Sequence, residues 1–228
     1  MIDGEKHYSD REIMSRWAIV RMNPAIHRIL SARGLDDSRI NGIIGFFYVD
    51  HDEGISLRIH AFCHIEPGQL PQIVVNFKDH GEDNVLRYDE FGAYTLLSND
   101  NATELSFLSK DETTELSFLE EQRWCIYHEP EQLQAIRSRV DLDRFRAPGF
   151  FDDVSVILFM EDQEHIPEVV WVRLEGIVED GTAFRGQLLN EPDADFGVHE
   201  GDMLTVRFAE HEDGRFLVAE RGSVAKRE

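Results

Sequence analysis

Residues 169–208 read VVWVRLEGIVEDGTAFRGQLLNEPDADFGVHEGDMLTVRF, and the punctuation of this stretch decides how the chain is built. Two segments of alternating apolar and polar residues meet at Glu179-Asp180-Gly181. A polar loop, Asn190-Glu191-Pro192-Asp193, follows, and a second turn, Glu200-Gly201-Asp202, launches a third apolar segment. Period-two alternation interrupted by Gly, Pro, Asn and Asp predicts a small β-meander.

Working outward, RFLVAE downstream reads as a last strand before a basic tip, Lys226-Arg227. Upstream, VSVILFM is an apolar strand, joined to the meander by the acidic linker EDQEHIPE. The stretch DLDRFRAPGFFDD is charged, aromatic and broken by Pro148-Gly149, which makes it the domain boundary. The expected organisation is therefore an α+β N-terminal domain over residues 1–147 and a small β-meander or barrel-like domain over 148–228.

The N-terminal domain is expected to open on helices. Ser9-Asp10-Arg11-Glu12 has the form of a capping box, and Ile13, Met14, Trp17, Ile19 and Val20 supply a broad apolar helix face behind it. Asn23-Pro24 restarts a second helix with Ile26, Ile29 and Leu30 as its buried stripe and Gly34 as its stop. From Asn41 the period changes: GIIGFFYV and ISLRIHAFCHI read as strands joined by a tight turn, Asp50 to Gly54, with QIVVNF as a third. Thr103-Glu104-Leu105-Ser106-Phe107-Leu108 recurs as Thr114-Glu115-Leu116-Ser117-Phe118-Leu119, which predicts a hairpin of two similar strands across Lys110-Asp111-Glu112-Thr113. RWCIYH is a further strand, and Glu129-Pro130 starts a helix through Leu133, Ile136 and Val140.

Charge is the dominant compositional fact: 45 acids against 23 bases leave −22. Residues 161–228 alone carry 17 acids and 7 bases. Binding to nucleic acid or to anionic lipid relies on Lys and Arg neutralising phosphate, so this balance argues against direct contact with either. It favours a basic partner drawn in by long-range attraction. An acidic, polar N-terminus and the lack of any apolar run of about 18 residues lead to the expectation of a soluble, cytoplasmic protein without a membrane span. Two distant cysteines, Cys63 and Cys125, in apolar stretches read as buried thiols of a reducing compartment.

Catalytic signatures are missing. The chain has no G-x-S-x-G, no Walker lysine loop and no G-x-G-x-x-G, and in so acidic a chain no particular pair of carboxylates is informative. His60 and His64 share one face of a strand but stand about 13 Å apart along it, too far to hold one ion, and Cys63 points the other way. Asp50, Asp52 and Glu53 lack the distal glutamate of a calcium loop. No metal or cofactor is expected.

Trp171-Val172-Arg173, then Gly186-Gln187-Leu188-Leu189-Asn190-Glu191-Pro192, then Gly197 to Gly201-Asp202 resembles the YegJ-like bacterial domain, a domain of unknown function. The resemblance covers the last third of the chain, and an insertion, Ala194-Asp195-Phe196, departs from the family pattern. It implies a small, mostly β domain and no particular activity. Read physically, Trp171 and Arg173 face the same way on a strand, so that the guanidinium can stack on the ring, and Arg185 lies across from them on the next strand. Asn190 and Pro192 shape the loop, while Gly197, Gly201 and Asp202 form its turn. Trp171, Arg173, Arg185, Asn190 and Glu191 are the candidate binding residues.

The sequence thus points to a non-enzymatic, acidic bacterial interaction protein that binds a basic partner, with an immunity-type inhibitor as one form. Two alternatives stand beside it. One is a small-ligand module or enzyme using the Trp171, Arg173 and Asn190 patch; the other is an inhibitor that mimics nucleic acid.

Overall fold

The computed structural model describes residues 8–77, 84–87, 105–117, 130–160, 166–178 and 181–220. The chain divides into two compact units, 1–128 and 129–228. The expected α+β class with an N-terminal helical region is overturned. The described residues are 47% strand and 20% helix, arranged as two sheets with five short helices.

The correction begins at the N-terminus. Helix α1 (Asp10–Ile13) does carry the Ser9–Glu12 capping box, but it ends after one turn. Ser15 then turns the backbone to φ 56°, and the apolar run that looked like a helix face becomes strand β1 (Arg16–Arg21). In so short a segment the spacing of Trp17, Ile19 and Val20 fits either period, and pairing decides between them: β1 is antiparallel to β2 (Gly42–Asp50) along its whole length. Helix α2 (Pro24–Ala32) lies where Asn23-Pro24 places it, with Asn23 Oδ1 accepting from the Ile26 amide at 2.9 Å.

Strand β2 pairs with β3 (Gly54–His64) across the Asp50 turn, where Asp50 Oδ1 accepts from the amide of Asp52. Both strands are buried almost throughout, which requires a sheet covered on both faces. Ile44, Phe46 and Tyr48 join Trp17, Ala61 and Cys63 in one cluster. Phe47, Val49, Ile55 and Leu57 are buried on the opposite face. Burial pushes the Cys63 thiol up to about 12. Strands β4 (Gln72–Asn76) and β5 (Val85–Leu86) pair with β3, and β6 (Leu105–Phe107) pairs with β1.

The repeat does not form a hairpin. Among the described residues only its first copy contributes a strand, β6 (Leu105–Phe107), while Thr114 and Glu115 of the second lie in a helix. The connection folds instead as helix α3 (Lys110–Glu115), capped by Ser109, whose hydroxyl accepts from the Glu112 amide while Glu112 returns to the Ser109 amide. The box S-x-x-E outweighs the sequence identity because it satisfies end amides that a second strand would need a partner to satisfy. Phe118, Leu119 and RWCIYH lie outside the described residues.

In the second unit, helix α4 (Glu131–Arg137) and a 3-10 helix (Val140–Phe145) lead into β7 (Arg146–Ala147) and then β8 (Phe150–Phe159). Strands β9 (Glu168–Val178), β10 (Ala183–Leu188), β11 (Met203–His211) and β12 (Gly214–Glu220) continue as an antiparallel meander. An odd number of alternating strands brings the first and last side by side in the same direction. Accordingly, β12 closes on β8 as a parallel pair and the sheet becomes a five-stranded barrel. Closure leaves the barrel strands without open edges. Val154, Val156, Val170, Val172, Leu174, Phe184, Leu204 and Val206 fill its interior, with Leu133, Ile136, Leu142 and Phe145 of the two helices in the same cluster.

Candidate interaction site on the barrel

Strand parity sorts the motif residues. On β9, Val170, Val172 and Leu174 are buried in the barrel, so Val169, Trp171 and Arg173 point outward. Their cross-strand partners on β8 form an outer ladder: Ile157 opposite Val169, Ser155 opposite Trp171, and Asp153 opposite Arg173. The guanidinium of Arg173 is held by Asp153, with Nε 2.8 Å and the second amino group 3.2 Å from the two carboxylate oxygens. Trp171 is 41% exposed, Val169 64% and Ile166 86%.

Arg185 does not join this group. A bulge between Arg185 and Gly186 sets Arg185 opposite Gly176 and places Gln187 opposite Arg173. Gly186 explains the glycine of the motif: a Cβ there would lie 2.6 Å from the Arg173 carbonyl oxygen and 2.6 Å from Val172 Cγ1. Only hydrogen fits that approach.

Asn190 and Glu191 build the loop beside Trp171. Asn190 Oδ1 accepts from the Trp171 amide at 2.8 Å, and the Leu189 amide donates to the Trp171 carbonyl at 2.9 Å, extending β10 past its end. Glu191 accepts from the Glu200 amide at 2.8 Å through one oxygen, and its other oxygen lies 2.7 Å from His199 Nδ1. This contact raises the His199 imidazole and, with the Glu200 amide, lowers the Glu191 carboxyl, both from their ordinary values. Pro192 is buried, and Phe196 and Val198 reach the barrel core. Asp195 accepts from the Gly197 amide, and Asp202 accepts from the His199 amide. Gly197 and Gly201 take positive φ, 68° and 88°, and the Gly201 amide closes the loop onto the Leu188 carbonyl.

Glu168, which the motif does not include, ties the loop to β9. Its carboxylate accepts from the amides of Asp193, at 2.9 and 3.0 Å, and Ala194. It precedes the apolar run and has no local signature, so only the fold brings it 25 residues along the chain to its partners. The result is a rigid loop whose backbone is held by carboxylates. Between Asn190 and Asp202 it carries Glu191, Asp193, Asp195, Glu200 and Asp202, with His199 as its one basic side chain.

The first unit holds a second polar grouping, in which His60 and Asp50, weighed above as metal ligands, stand with residues the sequence did not mark. Ser56, Arg58 and His60 are polar positions in a strand that is otherwise apolar and buried. Arg87 reaches Asp50 at 2.8 Å, the Tyr48 hydroxyl at 3.3 Å and Ser56 Oγ at 3.4 Å. The rings of Trp17 and His60 meet edge to face at 4.5 Å. The signal was present as polar residues at alternate positions of β3. These contacts tie β2, β3 and the Arg87 segment together.

His64 Nδ1 lies 2.7 Å from the Arg39 carbonyl oxygen. His211, Glu212 and Asp213 at the β11–β12 turn are exposed, and the Asp213 amide donates to His211 Nδ1 within the turn itself. Among the described residues no helix is long and apolar enough to cross a membrane. No family model matches the chain, and neither a curated protein nor a solved structure matches it.

Proposed function

We propose that the chain is a non-enzymatic interaction protein that binds a basic partner protein. The observation that carries this reading is the loop from Asn190 to Asp202. It displays five carboxylates without a lysine or arginine and is fixed in place by Glu168, Glu191, Asp195 and Asp202. A fixed array of one sign attracts the opposite charge without first having to be ordered, which favours fast, selective association. An immunity-type inhibitor that covers a cationic toxin is one concrete form. Candidate groups for small-ligand chemistry are engaged within the fold: Arg173 with Asp153, and Asn190 with the Trp171 backbone.

The test is capture of binding partners by the full chain at low and at roughly physiological salt, followed by affinity measurement with the purified partner. A basic protein whose affinity falls steadily with ionic strength is expected, since screening acts over about 8–10 Å at such salt. A partner that is acidic, or one indifferent to salt, would overturn the reading.

A further inference from the structure

We infer that the partner docks on the outer face of β9, with an apolar side chain of a basic segment seated on Trp171 and Val169 and with lysines or arginines reaching the carboxylates of the adjoining loop. This rests on the interaction-protein reading above and adds to it a surface and the chemistry of the segment that fits there.

Three observations converge on this face. Ile166, Val169 and Trp171 are exposed apolar side chains within six residues of one another, and Val169 and Trp171 share the outward parity of β9. A tryptophan left 41% exposed in the middle of a paired strand is unusual for packing, and tryptophan is among the side chains most often dominant in protein interfaces. The acidic loop is bonded to this same strip: Asn190 Oδ1 accepts from the Trp171 amide, and the Glu168 carboxylate accepts from the amides of Asp193 and Ala194. Asp193 and Glu200 carry exposed carboxylates that take no part in holding the loop's amides. The strip is therefore an apolar centre beside an acidic rim, both preorganised.

The chemistry selects the occupant. A second copy of this chain would bring like charge against like charge, which is repulsive at −22 per chain. A polyamine satisfies the carboxylates but offers no branched apolar group for the Trp171 ring. A polypeptide segment with Lys or Arg flanking a Leu-like side chain satisfies both.

The experiment uses the full chain and three probes: a peptide in which Lys and Arg alternate with Leu, the same peptide with Ser for every Leu, and spermine. The Leu peptide is expected to bind most tightly. Trp171→Ala is expected to weaken it about tenfold, in the range of a moderate interface anchor, while Trp171→Phe retains most of the affinity. The Ser peptide should bind weakly and respond to neither change. The double variant Asp193→Asn and Glu200→Gln should flatten the salt dependence and leave the thermal midpoint where it was.

If Trp171→Ala and Val169→Ser bind the Leu peptide as the parent does while the carboxylate variant weakens it, the surface is wrong and the basic-partner reading stands. If spermine or the Ser peptide equals the Leu peptide, the apolar half of the proposal falls. If no probe binds even at low salt, this proposal and the reading beneath it fall together.

Discussion

Replacing Arg137 tests whether helix α4 is part of the barrel's architecture. Arg137 and Asp152 are each 2% exposed, and the guanidinium meets the carboxylate through two bonds of 2.9 and 2.7 Å. Asp152 shares the inward parity of Val154 and Val156, so the arginine enters the end of the barrel. Arg137→Met keeps an apolar stem of similar length and strands a buried carboxylate. The expected cost is about 3–5 kcal/mol, most of it the penalty on the unpaired Asp152 rather than the net worth of the pair. For a unit of roughly 100 residues, at about 4–8 °C per kcal/mol, even the lower figure moves the melting midpoint by about 12 °C or more.

The assay is urea and thermal unfolding of the full chain, followed by near-UV circular dichroism and by fluorescence. Adding Asp152→Leu to Arg137→Met removes the second charge and should recover most of the loss, giving a strong favourable coupling in the double-mutant cycle. The reasoning is refuted if Arg137→Met alone costs less than about 1 kcal/mol, because a desolvated pair cannot lose one member so cheaply.

Two further outcomes follow from the barrel. Gly186→Ala should destabilise the unit by about 1–3 kcal/mol, since the new methyl group meets the Arg173 carbonyl across the strands; unchanged urea unfolding would contradict the close approach. His199 should titrate above the 6.5 of an ordinary imidazole by NMR, and Glu191→Gln should return it toward that value, because the Glu191 carboxylate is the first cause of its rise. The signs give a window. The raised His199 favours the folded loop at pH below 6.5 and ceases to do so as pH climbs through its folded value, while the lowered Glu191 favours it above 4.5 and ceases to as pH falls through its own. Loop protection in hydrogen exchange should therefore be greatest between those two values, with a small amplitude because both groups are exposed.

The sequence by itself determined the pieces whose signals are local. The β2–β3 hairpin is legible because Asp50 and Gly54 punctuate two apolar runs, α2 because Asn23-Pro24 caps it, and the meander because period-two alternation survives from Val169 to Phe208. The loop residues Asn190, Pro192, Gly197 and Gly201 were visible as turn formers, although not the atoms they serve.

Pairing across the chain decided the rest. Trp17 to Arg21 is a strand because β2 lies beside it, and the Lys110–Glu115 connection is a helix because Ser109 and Glu112 satisfy its end amides where the repeat suggested a hairpin. The barrel closes through Val218 opposite Ile157, a contact between segments 61 residues apart that no periodicity announces. The same holds for the site. The alternation of Trp171 with Arg173 fixed their shared face, but the register of β10 set Arg185 opposite Gly176 and Gln187 opposite Arg173, Asp153 took the guanidinium, and Glu168 brought the acidic loop alongside. Local dihedral preference and side-chain parity are written along the chain, whereas register, closure and charge pairing depend on which distant segments compete for the same hydrogen bonds and the same dry interior.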